Sequence, residues 1–412
     1  FDIRSGRKKI SLVSSSLNRG GAERQLAYTF RGLDRKDFDC ELIVNRLDNR
    51  SNGETYQDLI IDFLDSTTEL MESETSEVNG KTRNEFDMRL LDLLPDSTKK
   101  NVIMLINKFQ EEEPDLVHCW QDETIISSSI ASIICGVPRT MGSARSMRPD
   151  EKSELHIRKR PHIGQCLEYL LQDKRVLLSA NSEAGRLSYA DWIDIPANQI
   201  SVIHNGVDFE YLEEQRKKEI FEERFEKLGI KDGHKIIGGL FRLEPGKRVG
   251  VWLDTFEIAL QEDERIRGII VGGGRLSDTV SEWINNRGLE KRVSLIGPVS
   301  DVASWLEIMD VFLFTSVSEG LPNVIIEAQG FGVPVVSTDV GGVSEIVEDG
   351  VTGLVVESPV PRELANSIIS VLEMVDEENK RDISSSTREN FSIEKMIDAT
   401  EEEYRNHLSK KD

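Results

Sequence analysis

The stretch Lys235-Ile236-Ile237-Gly238-Gly239-Leu240-Phe241-Arg242-Leu243-Glu244-Pro245-Gly246-Lys247-Arg248 opens with an apolar, strand-like run and leaves it through a Pro-Gly turn flanked by cations. It restarts a rhythm that the chain has already completed once. Upstream, β-branched runs at residues 9–13, 40–44, 114–118, 137–141, 176–180 and 200–203 alternate with amphipathic helical stretches such as residues 22–33 and 125–134. Downstream, residues 267–271, 293–296, 311–315, 334–337 and 353–356 repeat the pattern. Such alternation predicts α/β architecture: two Rossmann-like domains with parallel sheets, facing each other across a cleft. The boundary is expected at the Asn205-Gly206-Val207-Asp208 turn, giving domains over residues 1–205 and 206–392. A closing helical stretch, residues 393–412, is expected to return to the first domain. Residues from about 45 to 100 break the rhythm with an acidic, Ser/Thr-rich segment around Asp65 to Glu77, which reads as an insertion with little to bury.

The 412 residues include 51 Lys and Arg against 74 Asp and Glu, a net charge of -23 that disfavours broad binding to nucleic acid. No apolar run approaches the roughly 20 residues of a membrane helix. The polar, basic start at Phe1 to Lys9 has no secretion-signal character, and Cys40, Cys119, Cys135 and Cys166 lack metal-ligand spacing. A cytoplasmic protein with reduced thiols is expected. The stretch Arg139 to Arg175 is locally basic, through Arg145, Arg148, Lys152, Arg158, Lys159, Arg160, Lys174 and Arg175. It reads either as a solvated face or as a contact for an anionic acceptor or membrane surface.

Three segments carry chemistry. In Ser318-Glu319-Gly320-Leu321-Pro322-Asn323-Val324-Ile325-Ile326-Glu327-Ala328, Pro322 marks a helix start and Gly320 permits close backbone approach. Backbone N–H groups there suit a phosphate, whereas Glu319 and Glu327, displaced by roughly 6 to 8 Å along the helix axis, suit hydroxyls. A nucleotide sugar has hydroxyls at both ends and phosphate between. Arg242 and Lys247 can converge on one diphosphate and stabilise its departure. The loop Asn18-Arg19-Gly20-Gly21-Ala22-Glu23 can bring backbone donors to a phosphate or sugar. Gly272-Gly273-Gly274 looks like part of a dinucleotide fingerprint, but Ser277 stands where its third glycine belongs. Asp37-Phe38-Asp39 precedes a strand, at the end opposite its carboxyl terminus, and reads as turn chemistry rather than a metal site.

Together these segments resemble the retaining GT-B glycosyltransferases of sequence family 4. The likeness covers nearly all of the chain outside residues 45–100 and extends to Val202 to Asp208, Ile296-Gly297-Pro298-Val299 and Gly341 to Val347. The resemblance implies that the first domain binds an acceptor and the second a nucleotide-sugar donor, most often a UDP-sugar, with no metal or other cofactor. Arg242, Lys247 and Glu319 would be catalytic. Gly20, Gly21, Pro298, Val299, Gly320, Leu321, Pro322, Asn323 and Glu327 would bind the donor. His118, Trp120, Ser143 and Arg145 are acceptor-side or cleft candidates, though His118 also reads as a satisfied structural histidine and Trp120 as a buried tryptophan. Many relatives carry a histidine where this chain reads Met141-Gly142-Ser143-Ala144-Arg145, so either Ser143 or Arg145 takes over its contacts or the donor sugar is held differently. The implied task is addition of a sugar to a glycan or lipid-linked acceptor in bacterial-type surface polysaccharide or lipopolysaccharide synthesis, with peripheral contact to the inner membrane face through residues 139–175. A synthase of a small soluble glycoside and an inactive nucleotide-sugar-binding subunit are the alternatives.

Overall fold

The computed structural model describes residues 6–45, 55–70, 91, 94–149, 161–216, 225 and 227–410. They divide into one unit formed by residues 1–205 with 394–412 and a second formed by 206–393. The first unit holds a seven-stranded sheet of β1 (Lys8–Ser14), β2 (Phe38–Val44), β3 (Thr67–Glu69), β4 (Leu116–Trp120), β5 (Arg139–Ala144), β6 (Val176–Ala180) and β7 (Ile200–Val202). Their order in space is β3-β2-β1-β4-β5-β6-β7. The second unit holds β8 (Lys235–Leu240), β9 (Ile266–Val271), β10 (Val293–Gly297), β11 (Val311–Phe314), β12 (Val335–Thr338) and β13 (Gly353–Val356), in the order β10-β9-β8-β11-β12-β13. Every strand pairing within both sheets is parallel.

Parallel sheets need cover on both faces, which is why their strands read as apolar runs instead of alternating ones. The second unit shows how that cover is divided. Along β11, Phe312 and Phe314 enter one core, with Trp305, Ile325 and Ile326, while Val311 and Leu313 enter the other, with Trp252, Phe256 and Leu253. The period of two sends successive side chains to opposite layers. Trp252 and Phe256 stack with ring centroids 5.6 Å apart. Helix Val249–Glu262 covers one face and helix Asn323–Gly330 lies against the other.

The region expected to be an insertion is partly built into the first sheet. Thr67, Thr68 and Glu69 pair with Leu42, Ile43 and Val44 as the edge strand β3, and Thr68 Oγ1 donates to Glu41 Oε1 at 2.7 Å. Helix Asp96–Glu112 then buries Val102, Leu105, Ile106 and Phe109 in the core. Residues 71–77 of the acidic stretch lie outside the described residues. The helix Ile393–Ser409 ends the fold: Asp34 N–H donates to Glu401 at 2.7 Å, and the buried Arg139 donates to the carbonyls of His407 and Lys410 at 3.0 and 2.6 Å. Arg139 thus serves as the cation that the carboxyl end of a helix favours.

Candidate functional site

In each sheet, strand order reverses beside the first strand, between β1 and β4 in one unit and between β8 and β11 in the other. Loops leaving two such neighbouring strands part to opposite faces, and the crevice between them is where parallel α/β sheets bind ligands. In the second unit the two loops are Phe241 to Arg248 and Thr315 to Pro322. Val317 N–H donates to Gly246 O at 2.9 Å, and Thr315 Oγ1 donates to Lys247 O at 2.8 Å, which fastens one loop to the other. Lys247, in the short helical turn Pro245–Lys247, sends its ammonium to Glu319 Oε1 and lies 5.7 Å from the centroid of the Phe314 ring. Both partners are half-buried. Two residues singled out from separate sequence segments therefore form one ion pair across the switch point. Arg242, on the same loop as Lys247, is exposed.

Pro322 is the residue before the first turn of helix Asn323–Gly330, and Glu327, inside that helix, is a carboxylate only 1% exposed. Glycines outside the expected donor set hold this backbone in place. Gly341 has φ +56°, and a Cβ there would stand 1.8 Å from Glu319 O; its neighbour Gly342 donates N–H to Gly320 O at 2.7 Å. Gly272, with φ +129°, likewise lets the end of β9 lie against Phe241, where a Cβ would come within 2.1 Å of the carbonyl oxygen. Leu243 N–H donates to Gly273 O at 2.9 Å. The triple glycine shapes the loop that carries Arg242. Pro298 is exposed and Val299 half-buried in the turn after β10, tied to β9 by Gly272 N–H donating to Gly297 O at 2.8 Å.

The first unit is arranged differently. Gly20 precedes helix Gly21–Gly32, and Gly21 is exposed. Gln121, just past β4, joins the two loops of this switch point: it accepts from Ser15 Oγ at 3.3 Å and donates to Glu23 Oε1 at 3.0 Å. Its backbone takes φ +73° and ψ 146°, a region sparsely populated by non-glycine residues that costs about 1–3 kcal/mol. Strained backbone of this kind clusters at functional sites.

Of the cleft candidates, His118, Trp120 and Ser143 are interior, each 2% exposed, which for His118 and Trp120 is the structural alternative. The physical reason is a buried hydrogen-bond chain. His118 Nδ1 meets the Tyr404 hydroxyl at 2.6 Å, its Nε2 meets Ser143 Oγ at 2.7 Å, and Ser143 Oγ meets Ser179 Oγ at 2.8 Å. Trp120 lies over the imidazole with ring centroids 3.7 Å apart. Burial, and then the charge of Arg145, hold the His118 pKa well below its ordinary 6.5, so the ring is neutral at pH 7.

Arg145 is half-buried and stays nearer the surface. Its Nη2 donates to Asn205 Oδ1 at 2.5 Å, and its carbonyl accepts from Asn181 Nδ2 at 3.4 Å. Burial pulls its pKa down to about 10, so it keeps its charge at pH 7. Elsewhere in the basic stretch, Arg148 pairs with Asp191 and Arg175 with Asp173. Lys152, Arg158, Lys159 and Arg160 lie outside the described residues. Asp37 and Asp39 pair with Arg405 and Arg7. Among the described residues, no three His, Cys, Asp or Glu side chains cluster closely enough to hold a metal ion, and no helix is long and apolar enough to cross a membrane.

The chain thus holds two Rossmann-like units with parallel sheets, the make-up of the GT-B fold. In comparison with known proteins, residues 220–390 match the family model of the glycosyl transferases group 1. The chain is 29% identical over 370 residues, 85% of its length, to the Vi polysaccharide biosynthesis protein VipC/TviE of Salmonella typhi, and the matched part is 62% of that longer protein. It is 24% identical over 314 residues to an Escherichia coli UDP-Gal:alpha-D-GlcNAc-diphosphoundecaprenol alpha-1,3-galactosyltransferase, a match covering 74% of this chain and 79% of the relative. In fold it is similar to the Anabaena protein Alr3699/HepE, solved in complex with UDP, at TM-score 0.75 and 21% identity, covering 97% of this chain and 100% of that one.

Proposed function

We propose that this chain is a glycosyltransferase that moves a sugar from a UDP-sugar to a glycan or lipid-linked acceptor in bacterial surface polysaccharide or lipopolysaccharide synthesis. The observation that carries the reading is the Lys247–Glu319 pair at the switch point of the group 1 domain. The polysaccharide-building relative and the UDP-bound neighbour support the acceptor and donor classes.

In this mechanism Arg242 and Lys247 neutralise the departing diphosphate, the role that positioned cations play in stabilising developing charge. Glu319 and the backbone from Gly320 to Asn323 hold the donor sugar and phosphates. Glu327 accepts hydrogen bonds from the ribose hydroxyls, and the Gly297-Pro298-Val299 turn meets the base. Gly20 and Gly21 approach the donor from the first unit's loop. The anomeric configuration is retained, the leaving phosphate helping to deprotonate the acceptor hydroxyl on the same face. Two cations beside the diphosphate supply the charge that a divalent metal supplies elsewhere, so turnover proceeds in EDTA. Contact with an anionic membrane surface falls to residues 139–175, and neutralising Arg158, Lys159 and Arg160 should release the protein from anionic liposomes.

The deciding experiment is thermal melting with UDP, GDP, CDP, ADP and NAD, each with EDTA, on the natural chain and on Glu327→Ala. Ligand at a hundred times its dissociation constant stabilises by about 2.7 kcal/mol. A rise specific to UDP and absent from the variant is expected; a rise with NAD alone, or none, overturns the donor site. The anomeric proton coupling of the product, read by NMR, tests retention.

A further inference from the structure

Arg145, Asn181 and Asn205 follow the carboxyl ends of three neighbouring strands, β5, β6 and β7, whose pairing sets Ala144 beside Ala180 and Ala180 beside Val202. The group is polar, and its hydrogen bonding is incomplete within the protein. Arg145 Nε and Asn181 Oδ1 are both shielded from solvent, and neither has a hydrogen-bond partner among the described residues. Shielded polar atoms are almost always paired, so two such atoms on adjacent strand ends need an explanation. Nor is the charge of Arg145 balanced locally. Its guanidinium donates to an amide oxygen, that of Asn205, and no ion pair to it occurs among the described residues. A cation withdrawn from water without a counter-charge is costly, and the cost is offset when an anion binds. The residue is still partly open, so an anion can reach it.

We propose that Arg145 and Asn181 form a specificity site for an anionic group on the acceptor glycan. A carboxylate or phosphate oxygen binds the guanidinium, and a neighbouring hydroxyl donates to Asn181 Oδ1. The side of the molecule fixes the substrate: the donor residues Lys247, Glu319 and Glu327 belong to the second unit, whereas Arg145 and Asn181 belong to the first. The assignment rests on the reading of the first unit as the acceptor domain. Its neutral neighbour, His118, contributes no second charge, so selectivity falls to the one arginine. The two anion sources, an acidic sugar and a lipid diphosphate, are separated by their probes.

The test measures binding by calorimetry, with and without UDP, for two pairs of probes. One pair is trigalacturonate and its methyl ester; the other is geranyl diphosphate-linked N-acetylglucosamine and allyl N-acetylglucosaminide. At least a tenfold preference for the anionic member of one pair is expected, and that pair names the source. Arg145→Gln should abolish the preference, and Arg145→Lys should retain part of it. Asn181→Asp, which sets a carboxylate beside the guanidinium, should abolish it even where Arg145→Gln does not fold. UDP affinity should be unchanged in all three. Absence of preference in both pairs, or its survival in Arg145→Gln and Asn181→Asp, overturns the proposal. Failure of the natural chain to bind UDP instead removes the donor reading, and the anion preference measured without UDP is judged separately.

Discussion

At the carboxyl ends of the second sheet, the lysine at the switch point already faces a glutamate; at the carboxyl ends of the first, the arginine faces only amides. Both clusters sit at carboxyl ends of parallel strands, one at the switch point and the other on strands beyond it, yet one is charge-compensated by its own residues and the other is not. A compensated pair can exchange partners when a ligand brings both negative phosphates and neutral hydroxyls. An uncompensated cation selects for net negative charge. The contrast gives the two clusters different electrostatics.

The strongest way to break this contrast is Lys247→Ala. If Lys247 carries the leaving group, turnover should fall by about 100- to 1000-fold, the usual loss when one donor to developing charge is removed. Single-turnover kinetics will check this, and a loss below tenfold would show that the lysine merely holds Glu319. Next in size is Tyr404→Phe, which leaves the buried His118 Nδ1 without its partner. An unsatisfied buried group costs about 1–3 kcal/mol, and each of these lowers the melting temperature of a unit this size by roughly 2–4 °C. An unchanged melt would make the hydrogen-bond chain incidental.

The pH dependence of stability gives a smaller, continuous effect. The unfolded chain takes up a proton on His118 below 6.5, while the folded chain, with its imidazole held well below that, does not. Stability is therefore complete above about pH 6.5 and falls as pH drops toward the folded value, by about 1.4 kcal/mol per pH unit. Denaturant titrations between pH 7 and 5 should show a shallower slope in His118→Asn; equal slopes would mean that another group sets it. The smallest effect sharpens the contrast directly. Glu319→Gln removes the competitor for Lys247, so UDP alone should bind about two- to fivefold tighter, an exposed-to-partly-buried ion pair being worth about 1 kcal/mol or less. Weaker UDP binding would show that Glu319 orients Lys247.

The cluster at the second unit's switch point was legible in the sequence because its parts are contiguous: strand, turn and cation within Lys235 to Arg248, and strand, carboxylate and helix start within Val311 to Glu327. Fold class followed from the apolar strand runs that both faces of a parallel sheet require. Edge strand β3 escaped because Thr-Thr-Glu has no apolar run and pairs on one side only. The interior of the first unit was illegible for a different reason. His118 finds its partner 286 residues away, and nothing local marks Tyr404 as the group that turns a candidate cleft histidine into a buried neutral one. Gly341 was visible as a glycine, but its proximity to Glu319 O exists only in the folded chain.

The second unit is one uninterrupted stretch of chain, whereas the first is completed by residues 394–412. On a ribosome, which delivers the chain from its amino end and lets domains fold as they emerge, the later unit can therefore finish before the earlier one. Until Tyr404 appears, His118 lacks its hydroxyl and the site beside Arg145 rests on an unfinished core. The Arg145 cluster is thus among the last parts of the nascent protein to be completed, after the Lys247–Glu319 pair is already built.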